Sequence, residues 1–173
     1  NDTVLLLASG ACGGSPLASA ALEEFSRALE SICVDLAKQI PADGEGASHL
    51  ITIDVQGAAS VDDARQIAQT IANSNLVKAG VAGADPNWGR IISAVGYAGV
   101  EINPDRVRVA MNGFDLYQDG APVPFDVAEV SASIAGSAET SILVAMENGE
   151  AVARFWTSDL TADYVRFNSE FHT

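Results

Sequence analysis

An acidic turn rich in glycine is the first segment whose residue types could do chemistry. It has the sequence Asp43-Gly44-Glu45-Gly46-Ala47-Ser48. Glycine lets the backbone adopt positive φ and turn sharply, so we expect the turn to project Glu45 at the start of the strand that follows. A carboxylate held in this way can bind an ammonium group by a charge-assisted hydrogen bond. The alternative, favoured by composition alone, is a solvated acidic turn without function.

A second segment combines amide, aromatic and guanidinium groups in Asp85-Pro86-Asn87-Trp88-Gly89-Arg90. These groups beside a helix start could form a binding ledge. They could equally be structural, with Asp85 capping a helix, Trp88 packing and Arg90 pairing with an acid.

The C-terminal segment Trp156–Thr173 is rich in aromatic residues, which predicts that it docks on the protein. Tyr164, Arg166 and Asn168 occupy alternate positions. An extended segment would therefore place them on one face.

Other chemistry has little support. The two histidines, His49 and His172, lie in no nucleophile motif. Cys12 precedes a helix and could be an activated thiol, although close packing of a small residue is the simpler interpretation. The loop Ser9–Gly14 could hold an anion on its backbone amides, but this signal is weak. There is no cofactor motif and no metal-ligand spacing, so neither a cofactor nor a metal is expected.

Hydrophobic spacing predicts the elements that must position these segments. A long amphipathic helix is expected from Ser15-Pro16 to Pro41, because Ser and Pro suit a helix start and apolar residues then recur every three or four positions. His49–Gln56 alternates apolar and polar residues, as in a strand with one buried face. Ser60 can cap the helix that follows.

The second half favours hairpins. Asn112-Gly113 and Asn148-Gly149 each separate two alternating runs, and such dipeptides predict tight hairpin turns. Asp119-Gly120 indicates another turn, and Asp126 begins a short helix. Helices and hairpins without strict βαβ alternation predict an α+β fold, with helices layered on a mixed or antiparallel sheet, in a single domain over residues 1–173.

Composition excludes several classes of protein. The 173 residues carry 9 Lys+Arg and 23 Asp+Glu, a net charge of −14, with 48% apolar residues. That apolar fraction allows a core and argues against disorder. A strongly negative surface repels nucleic acid and anionic membranes, no apolar run is long enough to span a bilayer, and no signal peptide is visible. A start at Asn1 without Met suggests a piece of a longer polypeptide.

Several longer motifs together resemble the ornithine acetyltransferase family, also called glutamate N-acetyltransferase, of arginine biosynthesis. They run in family order along the whole chain: Asn1-Asp2-Thr3-Val4, Asp43-Gly44-Glu45-Gly46-Ala47, Ile71-Ala72-Asn73-Ser74, Asp85 to Ile91, Gly96-Tyr97, Asn112-Gly113, Asp159-Leu160-Thr161 and Tyr164-Val165-Arg166 to Asn168.

The resemblance implies a self-cleaving cytoplasmic precursor whose β chain begins with a nucleophilic threonine. That threonine takes the acetyl group from N-acetylornithine and passes it to glutamate in a ping-pong cycle. The α chain of the same precursor supplies an oxyanion hole, and an α2β2 assembly is expected. It also implies the family's layered α+β fold, and an acetyl-CoA-dependent activity would make the enzyme bifunctional.

Residues that match the family's substrate site are Glu45, Asn168 and Thr173. The nucleophilic threonine is expected upstream of Asn1, so no residue of this chain is expected to be catalytic and the chain alone is expected to be inactive. Three alternatives remain open: an inactive binding or scaffold subunit, a paralogue acting on another acyl acceptor, and an amidohydrolase or aminopeptidase.

Overall fold

The computed structural model describes residues 3–170, and Thr173 of the predicted site lies outside them. Within this part of the chain the helices are α1 Ser19–Ala42, α2 Val61–Ala72, α3 Asn75–Ala82, α4 Trp88–Gly96, α5 Val127–Ala135 and α6 Ala162–Glu170, with a 3-10 turn at Pro104–Arg106. The strands are β1 Leu50–Ala58, β2 Arg108–Met111, β3 Phe114–Gln118, β4 Ala121–Pro122, β5 Glu139–Ala145 and β6 Ala151–Ser158.

The chain divides into two compact units, one up to Ile40 and one from Pro41 onward. The prediction of one domain over the whole sequence remains a prediction. In the first unit, α1 begins at Ser19 rather than at Ser15-Pro16. Its apolar side chains stay about half exposed, as in Phe25 at 54% and Leu36 at 56%. No helix in residues 3–170 has both the length and the apolar character needed to cross a membrane.

The second unit is built on a mixed sheet with the strand order β4-β3-β2-β5-β1-β6. β1 runs parallel to β5, and the other neighbouring pairs are antiparallel. Along β1, Ile51, Ile53 and Val55 are fully buried, whereas Thr52 and Asp54 are not. The predicted alternation is therefore correct, and the α+β class with a mixed sheet is confirmed.

Helices cover the sheet and complete the core. α2 packs on β1 and β6, α4 packs on β2, and the two helices contact each other. Ser60 caps α2 by accepting a hydrogen bond from the Asp63 amide at 3.1 Å, as predicted. Asp126 caps α5 in the same way, but α4 is capped by Asn87 rather than by Asp85.

The first predicted hairpin is correct. β2 and β3 pair across Asn112-Gly113, whose φ angles of 48° and 85° are both positive. Two positive φ values are what a type I′ turn requires. Asp119-Gly120, with φ of 52° and 77°, likewise joins β3 to β4.

The second predicted hairpin is wrong. β5 and β6 do not pair with each other, because β1 lies between them. The connection crosses the end of β1, where the backbone N–H of Asn148 donates to the Gly57 carbonyl at 2.9 Å. A Cβ on Gly149 would lie only 2.5 Å from the Ala58 carbonyl oxygen. The glycine there serves this close crossing of the β1 backbone.

Candidate substrate site

The acidic turn lies between α1 and β1, as the sequence predicted. Gly46 has a φ of +67°, and Ala47 donates its amide to the Gly44 carbonyl at 2.9 Å. Glu45 is exposed at the tip of this turn. The two flanking glycines thus present the carboxylate to the outside, just before the first core strand.

The turn packs directly against the start of α6. A Cβ built on Gly46 would lie 2.6 Å from the Tyr164 amide nitrogen and 3.0 Å from the Tyr164 Cα. Real side chains do not approach backbone so closely. Gly46 therefore meets two needs, a left-handed backbone and contact with a helix more than a hundred residues later in the chain.

Helix α6 replaces the extended segment considered from the sequence. Thr161 stands just before the helix, and its hydroxyl accepts a hydrogen bond from the Tyr164 amide at 3.1 Å. This is the contact an N-cap makes with the third helical residue. Tyr164, Arg166 and Asn168 therefore do not share one face, because positions two apart diverge by about 200° around a helix.

Two predicted ligands nevertheless come together. The Asn168 Nδ2 donates to the Glu45 Oε2 at 3.3 Å and to the Tyr164 carbonyl at 3.0 Å. Glu45 and Asn168 are both exposed. A carboxylate and an amide thus share one accessible corner, where they can offer an anionic acceptor beside a neutral polar group. The third predicted ligand, Thr173, lies outside the described residues.

A polar cluster around the buried Asp159 holds the residues that follow the acidic turn. The Asp159 side chain is 0% exposed. It accepts hydrogen bonds from the Ser48 amide at 2.9 Å and from the Ser48 hydroxyl, and His49 Nδ1 lies 3.1 Å from the same carboxylate. Burial alone would raise the pKa of Asp159, but these hydrogen bonds favour the ionised form and hold the pKa below its usual value.

Ser48, His49 and Asp159 have the residue types of a hydrolytic triad but not its geometry. In a triad the histidine uses one ring nitrogen for the acid and the other for the serine. Here Nδ1 faces both Asp159 and the Ser48 hydroxyl, at 3.1 Å and 2.9 Å. The other nitrogen, Nε2, lies 3.2 Å from the Ile134 carbonyl, to which it can only donate. The acid and the serine therefore face the same ring nitrogen, and the relay of a triad, from the acid through the two ring nitrogens to the serine, is absent from this cluster.

The Asp85–Arg90 segment makes structural contacts. Asn87 donates its side-chain amide to Asp85 Oδ2 at 3.2 Å, and Arg90 lies 3.6 Å from the same carboxylate. Arg90 also donates to the Leu76 carbonyl in α3 at 2.9 Å. The Arg90 bonds join α4 to α3 and to the loop before α4. Of the structural alternative considered from the sequence, the pairing of Arg90 with an acid is found, whereas the cap at Asp85 is not.

No three His, Cys, Asp or Glu side chains in residues 3–170 lie together as a metal site would require. In the same range, Cys12 and Cys33 are both free thiols.

The sequence of this chain matches a known protein family. A model of the ArgJ family matches residues 1–173. A glutamate N-acetyltransferase from Methanopyrus kandleri is 43% identical over the whole chain, which covers 45% of that protein. The arginine biosynthesis bifunctional protein ArgJ from Geobacillus stearothermophilus is 44% identical, again over the whole chain, which covers 42% of it.

A solved structure is also similar. The crystal structure of the arginine biosynthesis bifunctional protein ArgJ from Bacillus halodurans superposes with a TM-score of 0.93 at 39% identity. The match covers 99% of this chain and 81% of that one. The chain spans less than half the length of the curated relatives above.

Proposed function

Because this chain belongs to the ArgJ family, we propose that it is part of an enzyme that transfers an acetyl group from N-acetylornithine to glutamate. In this proposal the chain supplies part of the substrate site through Glu45, Asn168 and Thr173. The nucleophilic threonine, the oxyanion hole and the α chain come from polypeptide outside the sequence. Self-cleavage of a precursor, an α2β2 assembly and a cytoplasmic location belong to the same proposal.

The observation that carries the proposal is the contact between Glu45 and Asn168. The two residues are separated by 123 positions, yet their side chains meet at 3.3 Å. An exposed carboxylate can bind the side-chain ammonium of N-acetylornithine without first giving up a buried partner. A neighbouring amide can donate to one carboxylate oxygen and leave the other free to accept from the substrate.

The chemistry divides into two balanced steps. The threonine oxygen attacks the acetyl carbonyl of N-acetylornithine and gives up its hydroxyl proton, the carbon–nitrogen bond breaks, and that proton passes to the departing amine, which leaves as ornithine. The glutamate amine then attacks the acetyl ester, the carbon–oxygen bond breaks, and a proton lost by the amine returns to the threonine oxygen. Glu45 contributes to the first step only by binding, because it holds the side-chain ammonium of N-acetylornithine, which lies apart from the reacting amide, and exchanges no proton with the reacting carbonyl.

Assays on the full-length protein test the proposal. Repeated turnover of N-acetylornithine should require glutamate, because without it ornithine release stops once every threonine carries an acetyl group, and with it N-acetylglutamate should form in the same amount as ornithine. Release of acetate without glutamate would favour an amidohydrolase, and no turnover of N-acetylornithine would favour a scaffold subunit or a paralogue. Intact-mass measurement should show a separate chain that starts with threonine upstream of Asn1.

A further inference from the structure

The segment between β6 and α6 holds the acidic turn at two points. Asp159 binds the backbone amide of Ser48, as described above, and the Asp159 amide donates to the His49 carbonyl at 3.2 Å. Two residues later, the Thr161 hydroxyl donates to the Gly46 carbonyl at 2.6 Å. The first contact fixes the start of β1, whereas the second fixes the residue next to Glu45.

Thr161 is the closer of the two to the predicted ligands. Its hydroxyl donates to Gly46 and accepts from the Tyr164 amide, so the same oxygen joins the acidic turn to the first turn of α6. Tyr164 in turn accepts a hydrogen bond from Asn168 through its carbonyl at 3.0 Å. A continuous path of hydrogen bonds therefore runs from the residue after Glu45 to the amide that Glu45 contacts.

The direct contact is the weak step in this path. The 3.3 Å between Asn168 and Glu45 is long for a hydrogen bond to a carboxylate, which is usually about 2.7–2.9 Å. Both side chains are exposed, so this contact alone cannot hold the two groups against solvent. The separation of the two ligands must be set by the backbones that carry them, and the short bond from Thr161 joins those backbones.

We propose that Thr161 is a positioning residue that sets the separation of Glu45 and Asn168 for the bound amino acid. This inference rests on the proposed function, because the separation of the two groups affects binding only if Glu45 binds substrate. Thr161 acts through the Gly46 carbonyl. Loss of its hydroxyl should weaken binding of N-acetylornithine without slowing the chemical step, so KM should rise while kcat is unchanged.

The test compares Thr161→Val, which keeps the shape and removes the hydroxyl, with Thr161→Ser, which keeps the hydroxyl. In the full-length enzyme, we expect Thr161→Val to raise the KM for N-acetylornithine about five- to tenfold, which lies within the range for loss of one hydrogen bond. Thr161→Ser should stay within about twofold of the parent. Melting temperatures identify the temperature range in which each variant is folded, and the assays are run within it. If Thr161→Val does not fold, Thr161→Ala takes its place.

A double-mutant cycle with Glu45→Gln separates positioning from simple stabilisation. If Thr161 acts through Glu45, Thr161→Val should change KM less than about twofold in the Glu45→Gln background. The same fold-change in both backgrounds would overturn the proposal, as would an unchanged KM in Thr161→Val alone. If Glu45→Gln itself leaves KM unchanged, the failure lies in the substrate site of the proposed function.

Discussion

Replacing Gly46 by alanine should damage both stability and substrate binding. The new Cβ would lie 2.6 Å from the Tyr164 amide nitrogen, about 0.8 Å closer than the 3.4 Å at which ordinary contact begins. The residue also has a φ of +67°, which costs an alanine about 1–2 kcal/mol. With the displaced backbone added, we expect a loss of about 2–4 kcal/mol in the free energy of unfolding.

Gly113→Ala is a matched control, because Gly113 has a φ of +85° and no atom within 4 Å of its added Cβ. It carries the backbone cost without the steric one, and should lose only about 1–2 kcal/mol. Urea unfolding of the full-length protein measures both losses. Equal losses in the two variants would refute the claim that the turn is packed tightly against α6.

The same substitution should also raise KM. A displacement of about 0.8 Å between the turn and α6 would carry the contact of Asn168 with Glu45 from 3.3 Å beyond hydrogen-bond range. We therefore expect a rise in the KM for N-acetylornithine in Gly46→Ala and no change in Gly113→Ala.

Substitutions at Gly57 and Asp159 test the contacts that hold the two ends of β1. Gly57→Ala places a Cβ 1.8 Å from the Met146 carbonyl oxygen at a φ of +75°. Its control is Gly99→Ala, which has a φ of +76° and its nearest atom at 3.4 Å. In urea unfolding, Gly57→Ala should lose at least about 3 kcal/mol more of the free energy of unfolding than Gly99→Ala, and similar losses would contradict this. The pKa of Asp159 is lower in the folded protein than in the unfolded chain. The contribution of Asp159 to the free energy of unfolding is therefore complete above the unfolded pKa and is lost as the pH falls through the folded pKa. Asp159→Asn should therefore flatten the decline of stability below about pH 4, and an unchanged acid limb would contradict the ionised cluster.

Local features of the site could be predicted from the sequence. The glycines around Glu45 indicated an exposed acidic turn before a strand, and Ser60 and Asn112-Gly113 fixed a helix start and a hairpin. Each of these depends on the conformational preference of a few neighbouring residues. The resemblance to a family named Asn168 and Thr173 as further substrate ligands, which the residues alone did not.

Long-range features could not be predicted in this way. The Asn148-Gly149 dipeptide indicated a hairpin, but the place of β1 between β5 and β6 is set by pairing with a strand far earlier in the sequence. The helix α6 has a mixed apolar pattern and depends on the cap at Thr161. The acid of the buried cluster, Asp159, is separated by 110 positions from the histidine that it binds, so no spacing could connect them.

The proposed function requires Glu45 to bind the side-chain ammonium group of N-acetylornithine. The most direct test is the KM for N-acetylornithine in Glu45→Gln of the full-length enzyme, compared with Glu150→Gln. Glu150 is an exposed acid beyond the opposite end of β1, where Ala58 pairs with Ala151. Loss of a charged hydrogen bond of about 1.5–3 kcal/mol predicts a KM about 10- to 100-fold higher in Glu45→Gln and unchanged in Glu150→Gln. An unchanged KM in both variants would contradict the claim.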